Sequence, residues 1–414
     1  MSKRLTVYIL AFCALVAIAA AEGRAFAGTP LQDAIAKLTP EQQAALKAYE
    51  TAHISFQRRT DQYWRLTELK RKRRRAKLAA GKALTEADYV KEQPPVYNGP
   101  PRPDEVMKLL PKPPPKPAEK RERVAVVADF LRFAQEVYGF VPDRVSEDDF
   151  MIAYAMEATR LGLNKDQVVR LYAFETGGQG THDLQSGYNP RTGHAASTAL
   201  GYAQLLAPNS IEQIRKEGED FAARLEREAQ QSGVSESKAR ALLAKAAIVR
   251  RMVVDARKVH DGWGAHVAYA KTPKGLAMHT LNLDGDVGPW MQVVKLKGIK
   301  EYAAKRGMEN LSAAQLEMMN LAGPGSGFEM MQPIGGKMPT SNFFERRAYG
   351  RNPVVAGETG ATLLAKIDKR MDVSAQRQGA QRFAVIFDGV ARRLAGARAQ
   401  PALLTEPLSF LGIR

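Results

Sequence analysis

Residues 171–187 read "LYAFETGGQGTHDLQSG", and Glu175 is the side chain there whose surroundings suit chemistry. Val169, Leu171, Tyr172 and Phe174 crowd the end of an apolar, helix-patterned run, so the carboxyl emerges beside apolar surface. Desolvation disfavours a charged carboxylate and raises its pKa. A carboxyl still protonated near neutrality is what a general acid needs to donate to a departing sugar oxygen. The plainer alternative is a Glu paired with one of the chain's many Arg or Lys residues. The following "TGGQG" continues a helix poorly and leaves room for a bulky ligand beside the acid.

Other residues invite the same question. Asp183 follows Glu175 closely, next to His182, and a two-carboxylate hydrolase would use it as the second acid. An Asp bonding the backbone of its own turn is the competing reading. Asp284-Gly285-Asp286 lacks the later acids and terminal Glu of a calcium loop, so it reads as a turn before a helix near Pro289, with Asp286 as its cap. Trp290 suits either a sugar face or the core. Among the six His residues, His260 and His266 stand six apart in a Gly-rich region without metal-ligand spacing. No metal and no cofactor is expected.

The elements that must position these residues read as helices. "LTPEQQAALKAYE" offers Thr39 as N-cap, Pro40 at the first helical position and Glu41 in the first turn, opening a charged helical stretch over 40–92. "ERVAVVADFLRFAQEVYGF" and "EDDFMIAYAMEATRLGL" space their apolar residues by three and four, the second capped by Ser146 and ended near Gly162. Asn164 caps "KDQVVRLYAFE", and residues 210–259 form one or two long helices with a break near "SGVSES". No segment alternates with period two, which makes the fold class all-α. Residues 93–117 hold ten prolines and read as an extended spacer. The expected layout is a leader at 1–27, a basic helical arm at 28–92, the spacer, a helical domain at 118–371, and a C-terminal helix and tail at 372–414.

Composition restricts the partners. The chain has 414 residues and a formal net charge of +17, a balance that suits an acidic partner. Seven of the ten residues in Glu68–Lys77 are basic, which reads either as a solvated face or as an attraction to an anionic envelope surface. The start combines Lys3 and Arg4, an apolar stretch from Leu5 to Ala21 and Ala25-Phe26-Ala27, the pattern of a secretory signal. An uncleaved inner-membrane anchor is the other reading of that stretch. Cys13, the only cysteine, lies inside it, so the mature chain would carry no disulfide. Export to the periplasm disfavours nucleic acid as the partner.

Three segments in order resemble the soluble lytic transglycosylase family. Glu175-Thr176 is similar to the family's helix ending in Glu-Ser. "STALGYAQLLAP" is similar to its "GAxGLMQ" segment, with Ala199, Gly201, Gln204 and Pro208 in matching places. "MNLAGPG" resembles "YNAGPG" through Asn320, Ala322, Gly323, Pro324 and Gly325, with Leu321 inserted and Met319 in place of the Tyr. The likeness spans about Asp148–Met331 and marks a divergent member, because the loop between Glu175 and Gln204 is enlarged.

The resemblance implies a lysozyme-like helical domain that cleaves peptidoglycan between N-acetylmuramic acid and N-acetylglucosamine. It implies Glu175 as the single catalytic carboxyl, giving 1,6-anhydro products. Ser197 and Gln204 would orient the sugar, Ser197 being equally a helix cap before "TALGYAQLL". Asn320 would bond substrate or shape the cleft wall, and Tyr202, Tyr188 or Tyr172 would replace the hydroxyl lost at Met319. Two other readings fit the same residues: a non-catalytic peptidoglycan-binding or envelope-assembly protein, and a hydrolytic muramidase using Asp183.

Overall fold

Local chemistry fixes many helix ends. The computed structural model describes residues 30–111 and 123–399; the leader and Cys13, residues 112–117 of the spacer and the tail from 400 lie outside the described residues. Those described are all-helical: three isolated bridges occur, but no strand. None of their helices is long and apolar enough to cross a membrane. The chain divides into two compact units, 1–121 with 338–358, and 122–337 with 359–414. This differs from the expected layout, since 338–358 leaves the second unit and the C-terminal helix joins it.

The first unit contains α1 (Pro30–Ala36), α2 (Pro40–Ala79), α3 (Asp104–Leu109) and α14 (Arg346–Arg351). Thr39 and Gln42 close a reciprocal capping box at the start of α2. The helix expected to reach 92 stops at Ala79. Gly81 takes φ +67° there, and the Gly81 and Lys82 N–H groups bond back to Leu78 and Lys77. The basic run is only partly solvated. Arg71 and Arg74 are buried and donate to the carbonyls of Phe344 and Asn342 at 2.7 and 2.6 Å, which ties 338–358 to α2. Lys70 and Lys77 are held by Tyr89 and Asp88, leaving Lys72, Arg73 and Arg75 exposed.

The described part of the spacer is not free either. Tyr97 packs edge-on against Tyr49, His53 and Phe56, and Val106 buries beside Leu38 and Leu46. Proline removes donors but leaves apolar surface, and the apolar and aromatic residues between the prolines decide the outcome.

The second unit runs α4 (Val127–Tyr138), α5 (Glu147–Arg160), α6 (Lys165–Thr176), α7 (Ala207–Ala229), α8 (Glu236–Arg257), α9 (Trp263–Tyr269) and α10 (Pro273–His279). It continues with α11 (Val287–Ala304), α12 (Ala313–Ala322), α13 (Pro324–Met331), α15 (Gly360–Ala375) and α16 (Gln378–Ala399). Ser146 and Asn164 cap α5 and α6 by accepting from Asp149 and Gln167 N–H groups. One core cluster draws on α5, α6, α11, α12 and α16; another lies among α4, α7, α8, α10 and α11. The C-terminal helix, set apart from the domain in the expected layout, joins its core through Phe383, which is fully buried among the rings of Tyr154, Tyr172 and Tyr202. Burying such a ring stabilises by roughly 1.5–3 kcal/mol, enough to draw an amphipathic helix into a core.

Candidate active site

Helix α6 ends because Gly177, at φ +68°, can adopt the left-handed conformation that a side chain disfavours. Gly178 has a different task. A Cβ there would meet the Ser374 carbonyl oxygen at 2.3 Å, and its own carbonyl accepts from Ala380 N–H. The space expected for a ligand at Gly178 is therefore filled by the chain's own backbone. Glu175 itself stays partly exposed at the last turn of α6.

Two further helices bring polar side chains to it. From α12, Asn320 Nδ2 donates to Glu175 Oε1 at 2.8 Å and to Glu317 Oε2 at 3.1 Å. Glu317 is fully buried, and its Oε1 has no hydrogen-bond partner. From α11, the Lys295 ammonium acts on both carboxyls through its charge. Burial raises Glu175 to about 7, although Lys295, Glu317 and the hydrogen bond from Asn320 pull it down. Burial, then the charge of Glu175, pushes Glu317 well above the usual carboxylate range. Burial lowers Lys295, against the attraction of both acids. Beneath them, the phenol of Tyr154 is raised by burial and by the charge of Glu175. A carboxyl poised near 7, partly open to solvent and bonded by an amide, can deliver a proton at neutral pH and take one back.

The other residues singled out from the sequence fall in different places. Tyr202 is fully buried and its phenol donates to Glu147, whose carboxylate also accepts from His182 N–H at 3.0 Å and contacts His182 Nδ1 at 2.8 Å. Tyr172 donates to the Gly180 carbonyl at 2.8 Å, whereas Tyr188 is exposed. Gln204, at φ +42°, donates to the carbonyls of Gly201 and Leu184 at 2.8 and 3.1 Å, pinning the loop before α7. Ser197 Oγ accepts from Ala199 N–H at 3.1 Å within a turn. No helix follows Ser197, because "TALGYAQLL" folds as a turn whose Leu200 and Leu205 backbones pair. Asp183 accepts from Thr181 Oγ1 at 2.6 Å and pairs with Arg144, which together hold it below its ordinary value against the effect of burial. Met319 lies in the core, as does Trp290, which packs on Phe221 beneath the Arg224 guanidinium.

The structure therefore brings together Glu175 and Asn320 of the expected set, and adds Glu317 and Lys295, which sequence reading missed. Glu317 is an isolated charge in the apolar stretch "AAQLEMMN", and Lys295 follows the apolar run "WMQVV". That is the same signal that singled out Glu175. No group of three His, Cys, Asp or Glu residues able to hold a metal occurs among the described residues. A cavity of about 450 Å³, lined in part by Phe140, Lys238, Lys245 and Asp286, is walled by charges that already pair with one another. No family model, curated protein or solved structure matches this chain.

Proposed function

We propose that the chain is an exported peptidoglycan lytic transglycosylase with a divergent lysozyme-like domain, and that Glu175 is its single catalytic carboxyl. The observation that carries this reading is the 2.8 Å bond from Asn320 to Glu175 across 145 residues of sequence. It joins the first and third segments that resemble the family, at a carboxyl raised to about 7. In the first step Glu175 gives its proton to the glycosidic oxygen as the bond from muramoyl C1 breaks. The substrate's own acetamido oxygen stabilises the positive charge at C1, so no second carboxylate is needed. The muramoyl 6-hydroxyl then bonds to C1, and its proton returns to Glu175, closing the 1,6-anhydro ring. Asn320 orients the acid. The exposed Lys72, Arg73 and Arg75 suit an anionic envelope surface in the periplasm.

The test is to incubate the mature protein with purified peptidoglycan and weigh the fragments by mass spectrometry. Anhydro-ended muropeptides are expected from the wild type, with a loss of about 10³-fold or more in Glu175→Gln. Fragments one water heavier would identify a muramidase instead. Folded wild-type protein that releases no fragment would leave only the binding or assembly reading.

A further inference from the structure

Two carboxyls and one lysine share the site, and their charges do not balance if every group ionises. Lys295 offsets one carboxylate. A second carboxylate would stand against the first in a place where Glu317 Oε1 has no hydrogen-bond partner. Asn320 cannot supply one, since its Nδ2 already serves Glu175 and the other oxygen of Glu317. An unpaired buried charge is costly, and a neutral carboxyl escapes that cost by donating its own proton. Of the two acids, Glu317 is the one wholly shut from water, whereas Glu175 keeps partial exposure. The two carboxyls also interact directly.

From this geometry we infer that Glu317 is a positioning residue: its carboxyl stays neutral, and it donates a hydrogen bond to the Glu175 carboxylate that forms when Glu175 releases its proton. The groups facing Glu317 are then Glu175 from α6, Lys295 from α11 and Asn320 on its own helix, with the Tyr154 phenol from α5 beyond Glu175. No proton leaves Glu317 during the cycle. Its O–H turns toward the oxygen that has become negative, and a hydrogen bond to a charged acceptor is about twice as strong as a neutral one. The raised position of Glu317 on the pH scale agrees with this assignment. The consequence is that Glu175 is a stronger acid than its burial and Lys295 alone would make it.

The inference rests on the glycan-cleaving reading for its kinetic consequence only, so two measurements separate the two. Infrared difference spectra of the full chain at about pH 8, well above ordinary carboxyl pKa values, should show a protonated-carboxyl stretch that disappears in Glu317→Gln. This arm needs no activity. Absence of that band in the wild type, or its survival in Glu317→Gln, overturns the proposal. The second measurement is the pH profile of muropeptide release. Glu317→Gln keeps an N–H donor and no charge, so its alkaline limb should stay within about 0.3 pH unit of wild type. Glu317→Leu removes the donor, and its limb should rise by about one unit while kcat falls about tenfold. A limb that moves down by about a unit in Glu317→Gln would mean that a negative charge had been removed, and would also overturn the proposal. If wild type releases nothing, the transglycosylase reading fails while the infrared result still decides the state of Glu317. Circular dichroism checks that each variant folds, and should Glu317→Leu not fold, the Gln variant and the wild-type band carry the test.

Discussion

The second unit holds two clusters in which a lysine stands between two acids, with opposite consequences. At the start of α11, Asp284 accepts from Lys245 Nζ at 2.8 Å and from the backbone N–H groups of Asp143, Asp286 and Val287 at 2.9, 3.1 and 3.1 Å. Lys245 also bonds Asp286, which Lys238 reaches as well. Burial would lower Lys245, but its two acids raise it, so it keeps its charge. Around Glu175, by contrast, one carboxyl oxygen has no partner, both acids are raised, and the lysine is lowered. Donors meet the charges of the first cluster and strengthen the structure. In the second, charges are set against one another and the Glu175 carboxyl is raised to about 7, as at a functional site. The expected role of Asp286 as the cap of α11 is also corrected here, because the neighbouring Asp284 supplies the capping oxygen.

This contrast can be broken by measurement. The largest effect is expected at Asp284→Ala, which strands a buried Lys245 and three backbone donors. It should lower unfolding free energy by about 3–5 kcal/mol in chemical denaturation. A loss below about 1 kcal/mol would erase the distinction between the clusters. Glu175→Gln should act in the opposite direction, in a pH window set by its titration. Its folded value of about 7 lies above the 4.5 of an ordinary glutamate, so the folded state binds more protons, and wild-type stability falls as pH rises between those values. The variant lacks that loss, and its melting temperature should exceed wild type at about pH 8 by the equivalent of about 1–3 kcal/mol. The lost attraction to Lys295 limits the gain. Near pH 5 the two proteins should melt within about 1–2 °C of each other. A gain of equal size at both pH values would show that Glu175 does not titrate in this window.

The smallest effect is expected at Asp183, whose partners Arg144 and Thr181 are side chains of ordinary surface character. Asp183→Asn should leave muropeptide release within about twofold of wild type and cost at most about 1 kcal/mol of stability. A fall of about a hundredfold would make Asp183 the second carboxyl of a hydrolase, and the reading of Glu175 as a lone acid would fail.

Helix termini were the most legible part of the chain, because a cap is a contact between near neighbours. Thr39, Ser146 and Asn164 cap the helices that they were expected to cap, and Gly177 ends α6 just beyond Glu175. The break between α7 and α8 falls at residues 230–235, overlapping the expected "SGVSES" at 232–237. Reading failed where a segment had two local solutions and a distant contact chose between them. "TALGYAQLL" has helix-like composition, yet it turns, with Gly201 at φ +78° against the Gln292 side chain and the Tyr202 ring drawn into the core. Arg71 and Arg74 read as members of a solvated run until the carbonyls of 342 and 344 are placed beside them.

The sequence alone determined that this chain is helical, where several helices begin and end, and that Glu175 is an acid left at the end of an apolar turn. Those properties depend on periodicity, capping and backbone preference, all of which act within a few residues. Only the tertiary structure decided what faces that acid. Asn320, Glu317 and Lys295 come from helices more than a hundred residues further on, and nothing local records which helix packs against which. Burial then fixes the protons, because the cost of a charge depends on the water and the neighbours that packing leaves beside it.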